Sequence, residues 1–282
     1  MDQILSEVIP LFFISTGSRN VIRGVMEQSA FTHTEHYTVR SYETDAYSFA
    51  SIQTIVNYLQ NSGFNHALIL TRTGSLASGP SIAYFLTRQR VRMFRYPRWQ
   101  ESLTINTWLE TRILKYAVRE FEILDSDGKI IACATNSALF YNLKKKSVIT
   151  ASECLIGVPE PLRGRALDDP FESIPRVTNP DYTAEFTIRL SDIDMYRHVN
   201  NVVYVEWAVE TLPALVWEGW TLSDHEINFR SEAGFGDTVI AEAEEVTCGE
   251  TRIFLHRLTR KRDGVEVALL RTWWNTEEHR AK

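Results

Sequence analysis

The alternation of hydrophobic and polar residues follows one scheme twice along this chain of 282 residues. In each half, two stretches with the two-residue period of β-strands flank an Asp-Gly pair, which is typical of a tight hairpin turn. The pairs are Asp127-Gly128 and Asp263-Gly264, and both predict a two-residue hairpin. The four predicted strands are 116–124, 129–141, 251–260 and 265–274.

A constant spacing relates the two halves. The turn glycines Gly128 and Gly264 are separated by 264 − 128 = 136 residues. Upstream, Glu101 and Asp237 enter similar strand patterns, and their spacing is again 237 − 101 = 136 residues. Two independent landmarks at one offset predict a duplicated structural unit.

A helix is predicted at the start of the first unit. Ser51 is a typical N-cap residue, and Ile52, Ile55 and Val56 then fall on one helical face. Glycine often follows the last turn of a helix, so the pattern predicts an end at Gly63.

The second unit has a corresponding helix, predicted to start from an Asn cap at Asn201 and to stop before Pro213. Its residues are apolar almost all round, which is typical of a buried helix. We expect an antiparallel sheet to wrap it, and each half then has one helix and a run of strands. This is an α+β fold class.

The ends of the pattern place the remaining segments. Periodicity lapses between Gly157 and Pro180, a stretch with several prolines and glycines, and we expect the joint between the halves there. Near the N-terminus, the apolar run 8–15 is too short to cross a bilayer and is interrupted by Pro10. Acidic rather than basic residues precede it, so neither a signal peptide nor a membrane span is expected.

Composition narrows the class of protein further. The hydrophobic content of 44% and charged content of 23% are those of an ordinary globular protein, and the net charge of −6 does not favour a nucleic-acid partner. Cys133, Cys154 and Cys248 are far apart and lack CxxC spacing, so they predict neither disulfides nor a zinc site. We therefore expect a cytoplasmic protein that binds no metal and needs no cofactor.

One segment concentrates chemically active side chains. Residues 191–202 bring two carboxylates, one imidazole and two carboxamides into a turn that leads directly into the buried helix. Free N–H groups at a helix N-terminus can stabilise an oxyanion, while Asp and His can move protons. Asp and Asn are equally common in turns that merely cap a helix. Spacing alone leaves both interpretations, catalysis and capping, open.

The same segment resembles the signature of acyl-acyl-carrier-protein thioesterases, a family of plant plastid enzymes and bacterial relatives. The resemblance runs from about residue 35 to the C-terminus. Its further stretches are Tyr37-Thr-Val-Arg-Ser-Tyr-Glu43, Ser51-Ile-Gln-Thr54, Asn57-Tyr-Leu-Gln60, Asn65-His66, Arg95-Tyr-Pro-Arg-Trp99 and Glu160-Pro-Leu-Arg-Gly164.

The resemblance implies a tandem double hotdog, in which two long helices are each wrapped by an antiparallel sheet. The duplicated unit is what such a fold requires. The expected divisions are an N-terminal arm (1–34), an N-terminal hotdog that shapes the acyl pocket (35–156), a linker (157–180) and a catalytic C-terminal hotdog (181–282).

The resemblance also assigns roles to matching residues. Asp194 and His198 match the catalytic aspartate and histidine, and Glu232 matches an acidic residue that activates water. Tyr196 departs from the family, which usually has Asn there. Ala233 replaces the Cys of many plant enzymes, which argues against a Cys-His mechanism.

The implied reaction is hydrolysis of the thioester of fatty acyl-acyl-carrier protein, which ends chain elongation. The carbonyl would be polarised at the helix N-terminus by Asn200 and Asn201. Glu232 with Asp194 would activate water and His198 would support proton transfer; direct attack by Asp194 is a second possibility. Other readings on the same fold are an acyl-coenzyme A thioesterase and a non-catalytic acyl-binding protein, and a hotdog dehydratase matches the pattern less well.

Substrate contacts are expected in the first half. Candidate residues for the acyl pocket lie on the first helix, and plain core packing is the alternative for each of them: Ile52, Ile55, Val56 and Tyr58. The carrier of this family is acidic, and Arg88, Arg90 and Arg92 alternate on one predicted strand face that could dock it. A solvated face explains them equally well. The protein is expected to be a monomer or a homodimer.

Overall fold

Helices of unequal length pack against a continuous antiparallel β-sheet. The computed structural model describes residues 31–110, 116–159, 161, 163–247 and 251–276. The predicted arm, 1–34, falls almost entirely outside these residues. The helices are α1 (Ile52–Arg72), α2 (Ala151–Cys154), α3 (Asn201–Glu210) and α4 (Ala214–Gly219). The strands are β1 (Thr32–Thr38), β2 (Ile82–Met93), β3 (Ser102–Glu110), β4 (Ala117–Leu124), β5 (Ile130–Asn142), β6 (Ser147–Ile149), β7 (Tyr182–Thr187), β8 (Trp220–Phe229), β9 (Thr238–Thr247), β10 (Thr251–Arg260) and β11 (Val265–Thr276).

The strand order confirms the duplication that the sequence predicts. Across the described residues the order is β1-β3-β4-β5-β2-β8-β11-β10-β9-β7, with β6 paired to β5. Read inward from either edge, the strands follow one connectivity, and β2 and β8 meet in the middle. The α+β class is therefore confirmed, with the two units sharing one sheet.

The hairpin turns are longer than the two residues predicted. The Asp125 N–H donates to the Lys129 carbonyl at 3.0 Å, which leaves residues 126–128 in the first turn. In the second turn Arg260 pairs with Val265. Gly128 and Gly264 have φ of +78° and +69°, so each takes the left-handed position that closes the longer turn.

Helix α1 does not end at Gly63 as predicted but continues to Arg72. A Cβ at Gly63 would lie 3.2 Å from side-chain atoms of both Arg119 and Phe121 on β4. The glycine therefore permits close helix–sheet packing inside the helix rather than marking its end. The predicted N-cap is confirmed, since the Ser51 side chain accepts from the Thr54 N–H.

Helix α3 is shorter than predicted, and its N-cap lies one residue before the predicted one. Asn200, not Asn201, is the N-cap, because its backbone is non-helical and its side-chain oxygen accepts from the Val202 N–H at 3.2 Å. The predicted burial is confirmed: Val202, Val205 and Trp207 belong to the main hydrophobic cluster, together with Ile55 and Val56 of α1.

The two halves are joined where β2 pairs antiparallel with β8. Arg90 lies directly opposite Glu226 in this pairing. Arg90 donates to Asp224 through two nitrogens at 3.1 and 2.9 Å, and Arg88 contacts Glu226 at 2.6 Å. Arg271 of β11 completes the pairing of Glu226. Buried carboxylates and guanidinium groups thus neutralise each other across the boundary between the halves.

The segment between the halves covers the outer face of this sheet. Its residues 163–180 contain no helix or strand. Ile174 and Val177 pack on Leu255 and Leu269, while Asp169 contacts Arg88 at 3.0 Å. The segment therefore shields the ion pairs from water.

This shielding contradicts the predicted docking face. Arg88, Arg90 and Arg92 do share one face of β2, but Arg88 is buried, the Arg90 side chain is only 11% exposed, and all three contact carboxylates of the second half or the linker. Alternation along a strand predicts which residues share a face, but it does not show whether that face is covered. The three arginines join the halves and do not form an exposed basic strip.

Two histidines are buried on the opposite, helix-facing side of the sheet. Neither ring nitrogen of His225 has a hydrogen-bond partner among the described residues, whereas His256 contacts Thr272 at 2.9 Å. Burial lowers the pKa of each imidazole to about 3. In the pH range where the same two histidines begin to take up protons in the unfolded chain, both rings therefore stay neutral in the folded protein.

We predict that the free energy of unfolding falls as the pH is lowered below about 6.5, by about 1.4 kcal/mol per pH unit for each buried histidine. His225→Leu removes one proton-uptake site and two unsatisfied nitrogens, so it should stabilise the protein more at pH 5 than at pH 8. Urea unfolding at both pH values measures this. An equal effect of the substitution at the two pH values would contradict the assignment.

Candidate active site

A closed turn, residues 193–199, precedes α3 and is called here the second-half turn. Asp194 organises it: its Oδ1 accepts from the backbone N–H of Tyr196 at 2.8 Å and of His198 at 3.3 Å. The Asp194 N–H donates to the His198 carbonyl at 2.9 Å, and Ile193 bridges to Val199. The contacts seen for Asp194 are those of a turn-capping carboxylate.

The end of this turn presents a helix N-terminus. The Asn200 side chain accepts from Val202, and the Asn200 carbonyl accepts from the Val203 N–H at 2.9 Å. The first residue of a helix has no acceptor one turn back, so the backbone N–H of Asn201 is the donor left for a ligand. A carbonyl oxygen placed there would be polarised by that N–H and by the helix dipole.

The structure places Glu232 beside His198. Glu232 follows β8, and its Oε1 lies 3.5 Å from His198 Nδ1. The two side chains are 38% and 31% exposed, so water and substrate can reach them. A carboxylate beside Nδ1 orients the imidazole, which leaves Nε2 to exchange a proton.

Two residues that the sequence analysis missed hold the Glu232 segment. Arg260 donates to the Glu232 carbonyl, and the buried Tyr204 hydroxyl makes a hydrogen bond with the backbone of Ala233. Burial raises the Tyr204 pKa above its ordinary value, so the hydroxyl stays protonated. The sequence offers one signal for the role of Tyr204. It lies one helical turn after the Asn cap in a helix that is apolar all round, so its hydroxyl cannot reach solvent.

Tyr196 contacts the other half of the protein. Its ring lies 6.5 Å from that of Phe64 on α1. Burial, with a smaller contribution from the negative charge of Asp194, raises the pKa of Tyr196 to about 12. Its buried hydroxyl has no hydrogen-bond partner in the described part of the chain. At neutral pH it is therefore a protonated donor available to a ligand.

The first half contains the same turn with different chemistry. In this first-half turn, residues 44–50, Asp45 Oδ1 accepts from the N–H groups of Tyr47 at 2.9 Å and Phe49 at 3.0 Å. Ser48 and Arg197 occupy equivalent positions, each with φ of 66°. This turn was not among the features predicted from the sequence. Its residues and those of the second-half turn are nevertheless separated by a constant 194 − 45 = 149 positions.

The duplicate turn lacks the ionisable pair. Phe49 stands where the second-half turn has His198, since 198 − 49 = 149, and Tyr96 stands where β8 is followed by Glu232, since 232 − 96 = 136. Gln100 and Gly236, 136 residues apart, have φ of 66° and 80°, which supports the alignment of these two loops. The acid–base chemistry is thus confined to the second half.

The residues predicted for the acyl pocket lie in the core of α1. Ile55 and Val56 are buried in the main hydrophobic cluster, and Ile52 borders a cavity beside the first-half turn. The Tyr58 hydroxyl donates to Glu43 at 2.6 Å, and its ring stacks on Tyr37. Tyr58 is thus buried in the main hydrophobic cluster, and its hydroxyl is held by Glu43.

No three His, Cys, Asp or Glu side chains in the described ranges converge closely enough to hold a metal ion. None of the helices described is both long and apolar enough to cross a membrane.

Known proteins resemble this chain in both halves. The family profile for the acyl-ACP thioesterase N-terminal domain matches residues 30–153, and the profile for the C-terminal domain matches residues 177–276. A palmitoyl-acyl carrier protein thioesterase of Gossypium hirsutum is 28% identical over 89% of this chain. An oleoyl-acyl carrier protein thioesterase of Arabidopsis thaliana is 26% identical over 89% of it. The chain spans 65% of the length of the Gossypium protein and 78% of the Arabidopsis one.

Solved structures confirm the fold. The 12:0-ACP thioesterase of Umbellularia californica superposes with a TM-score of 0.76 at 23% identity, covering 88% of this chain and 95% of that one. An acyl-ACP thioesterase of Bacteroides thetaiotaomicron gives a TM-score of 0.71 at 20% identity and covers 89% and 100%. The predicted tandem double hotdog is confirmed.

Proposed function

Because the chain belongs to the acyl-ACP thioesterase family, we propose that it hydrolyses the thioester of a fatty acyl chain held on acyl carrier protein. The products are the free fatty acid and the carrier, and their release ends elongation of the chain. The observation that carries the proposal is the Glu232–His198 pair beside the N-terminus of α3.

In the proposed reaction the thioester carbonyl lies at the start of α3. The Asn201 N–H donates to the carbonyl oxygen, and this hydrogen bond strengthens as negative charge develops on that oxygen. The Tyr196 hydroxyl, which has no hydrogen-bond partner among the described residues, is proposed as a second donor to this oxygen. Here a tyrosine would do what the family's usual Asn does, since both side chains can donate one hydrogen bond.

Water is the nucleophile in this proposal. His198 takes a proton from the water through Nε2, while the Glu232 carboxylate next to Nδ1 stabilises the imidazolium. The water oxygen bonds to the acyl carbon, the carbon–sulfur bond breaks, and the proton held by His198 passes to the departing thiolate. Asp194 keeps His198 in place because its Oδ1 accepts hydrogen bonds from the backbone N–H groups of Tyr196 and His198.

The acyl chain is proposed to lie between the helices. The contact of Tyr196 with Phe64 brings α1 beside the second-half turn, and Ile55 and Val56 share one hydrophobic cluster with Val202 of α3. A substrate chain entering this cluster is removed from water along its length. Ile52 and Tyr58 would contribute through their positions on the same helix.

We place the protein in the cytoplasm. Cys133 and Cys154 are free, buried thiols, and burial raises the pKa of each to about 11, so both stay protonated and unreactive. Free thiols fit a reducing compartment. The Gossypium and Arabidopsis relatives are described as chloroplastic, which is also a compartment of plant cells rather than an extracellular one.

A docking surface for the carrier surrounds the pair. Leu190, Met195 and Phe235 are 76%, 75% and 69% exposed, and they lie on three adjacent segments. The Gly236 N–H donates to the Ile188 carbonyl, which brings the segments of Phe235 and Leu190 together. Clustered apolar side chains at this exposure are typical of a protein-binding surface.

Exposed guanidinium groups border this surface. The side chains of Arg189 and Arg262 are 64% and 62% exposed and pair with Asp192 and Asp237, whereas no carboxylate in the described residues lies within ion-pair distance of the exposed Arg197. An acidic carrier would be guided toward the apolar residues by these guanidinium groups. The partner surface is therefore assigned to the rim of the site, in place of the buried Arg88 and Arg90.

We predict that purified protein releases free fatty acid from acyl-carrier thioesters, and that His198→Ala and Glu232→Gln each lower kcat by about 10²- to 10⁴-fold. Tyr96→Phe is the matched control for Glu232→Gln, because it alters the equivalent position of the first half. It should keep wild-type turnover. Full activity of folded His198→Ala would refute the proposed mechanism.

A second prediction concerns the docking surface. Arg197→Glu should raise KM for the carrier-bound substrate several-fold and leave kcat little changed, because the substitution acts on encounter rather than on chemistry. The same acyl group on pantetheine alone should be hydrolysed as before. Arg40→Glu, which reverses the charge of an exposed arginine beside the first-half turn, serves as the control. An equal loss on both substrates would rule out a carrier-specific role for Arg197.

A further inference from the structure

A cavity of about 290 Å³ lies beside the first-half turn. Residues from four parts of the fold line it: the turn and start of α1, the loop after β2, the end of α3 with α4, and the adjoining ends of β8 and β11. Its walls are mainly aromatic and aliphatic, including Phe49, Tyr96, Trp217, Leu222 and Trp274.

The cavity occupies the position that corresponds to the active site of the second half. The lining residues Asp45, Phe49 and Tyr96 are the counterparts of Asp194, His198 and Glu232. Ser51, which caps α1 and also lines the cavity, is the counterpart of Asn200, since 200 − 51 = 149. The duplicated unit thus keeps the turn and the capped helix but has aromatic rings in place of the acid and base.

Polar groups in the cavity lack partners. Thr221 is 4% exposed, lines the cavity, and its Oγ1 has no hydrogen-bond partner among the residues described. A buried hydroxyl of this kind costs free energy until a ligand satisfies it. At the start of α1, the N–H groups of Thr54 and Ile55 are taken by Ser51, which leaves those of Ile52 and Gln53 at the cavity wall.

The charges around the cavity limit what it can hold. Asp45 and Glu210 both border it. The guanidinium of Arg98 lies over the Phe49 ring, so two carboxylates and one cation leave a net negative charge here, and this charge disfavours an anion such as a free fatty acid. A neutral carbonyl group avoids this repulsion and can still accept hydrogen bonds from Thr221 and the first N–H groups of α1.

We propose that this cavity is a second binding site for an uncharged acyl group, which it holds without hydrolysing it. The acyl chain packs on the aromatic walls formed by Trp217 and Trp274, and the carbonyl accepts from Thr221. Phe49 and Tyr96 stand at the positions of His198 and Glu232, so this site lacks the histidine–glutamate pair that is proposed to activate water in the second half. Helix α3, about 15 Å long for its ten residues, separates this site from the Glu232–His198 pair.

The test is the stoichiometry of binding. The N-methyl amide of a medium-chain fatty acid is titrated into the full chain by calorimetry, because this neutral probe cannot be hydrolysed as a thioester. We expect two equivalents per chain. Gln53→Trp, which places an indole at the rim of the cavity, should reduce the number to one. Gln60→Trp, on the same helix but outside the cavity, should keep two.

A milder variant guards against misfolding. Thr221→Val preserves the side-chain shape and removes one hydrogen-bond donor, so it should weaken the second equivalent about fivefold. A single equivalent in the wild-type protein, with Gln53→Trp weakening only longer chains, would overturn the proposal, because the cavity would then hold the far end of a chain bound at His198. Hydrolysis of carrier thioesters is measured separately, so its absence would refute the proposed function without changing the expected stoichiometry.

Discussion

The pairing of β2 with β8 is the constraint on which the rest of the molecule depends. It converts two similar units into one sheet, and the buried contacts of Arg88 and Arg90 with Glu226 and Asp224 fix its register. Removing one partner of such a pair typically costs about 3–5 kcal/mol, because the other charge is left buried and unpaired. The same register places the second-half turn against α1, so that Tyr196 contacts Phe64. The candidate site therefore includes residues of both halves, although its histidine–glutamate pair comes from one.

Architecture and chemistry are separable in this protein. Asp45 and Asp194 close their turns with the same pair of backbone hydrogen bonds, and both turns lead into a capped helix. The halves differ at two positions. Phe49 and Tyr96 of the first half are the counterparts of His198 and Glu232 of the second half. One turn thus presents an ionisable pair to solvent and the other presents aromatic walls to a cavity. The two halves share one scaffold, and the side chains placed on it determine which half contains the histidine–glutamate pair.

A feature of this structure can be predicted from the sequence when residues close together in the chain determine it, and not when distant residues do. Local patterns correctly predicted the Ser51 cap, the buried α3 and the repeated hairpins, because neighbouring residues determine them. Gly63 misled the prediction because its role is contact with β4, which periodicity does not record. The first-half turn escaped detection because helices of different length change the spacing from 136 to 149 residues. Burial of Arg88 and Arg90 depends on the linker and the opposite half, and no local pattern reports that.

The central claim is that water activated by His198 and Glu232 attacks the thioester, while Asp194 shapes the turn. The most direct test is a single turnover of acyl-carrier substrate in water labelled with the heavy isotope of oxygen. Mass spectrometry then measures the masses of the fatty acid and of the peptide that contains Asp194. The account predicts one heavy oxygen in the fatty acid and none in the peptide, because Asp194 Oδ1 is held by two backbone donors. Heavy oxygen in Asp194 would contradict it, since the carboxylate would then have formed an anhydride with the acyl group.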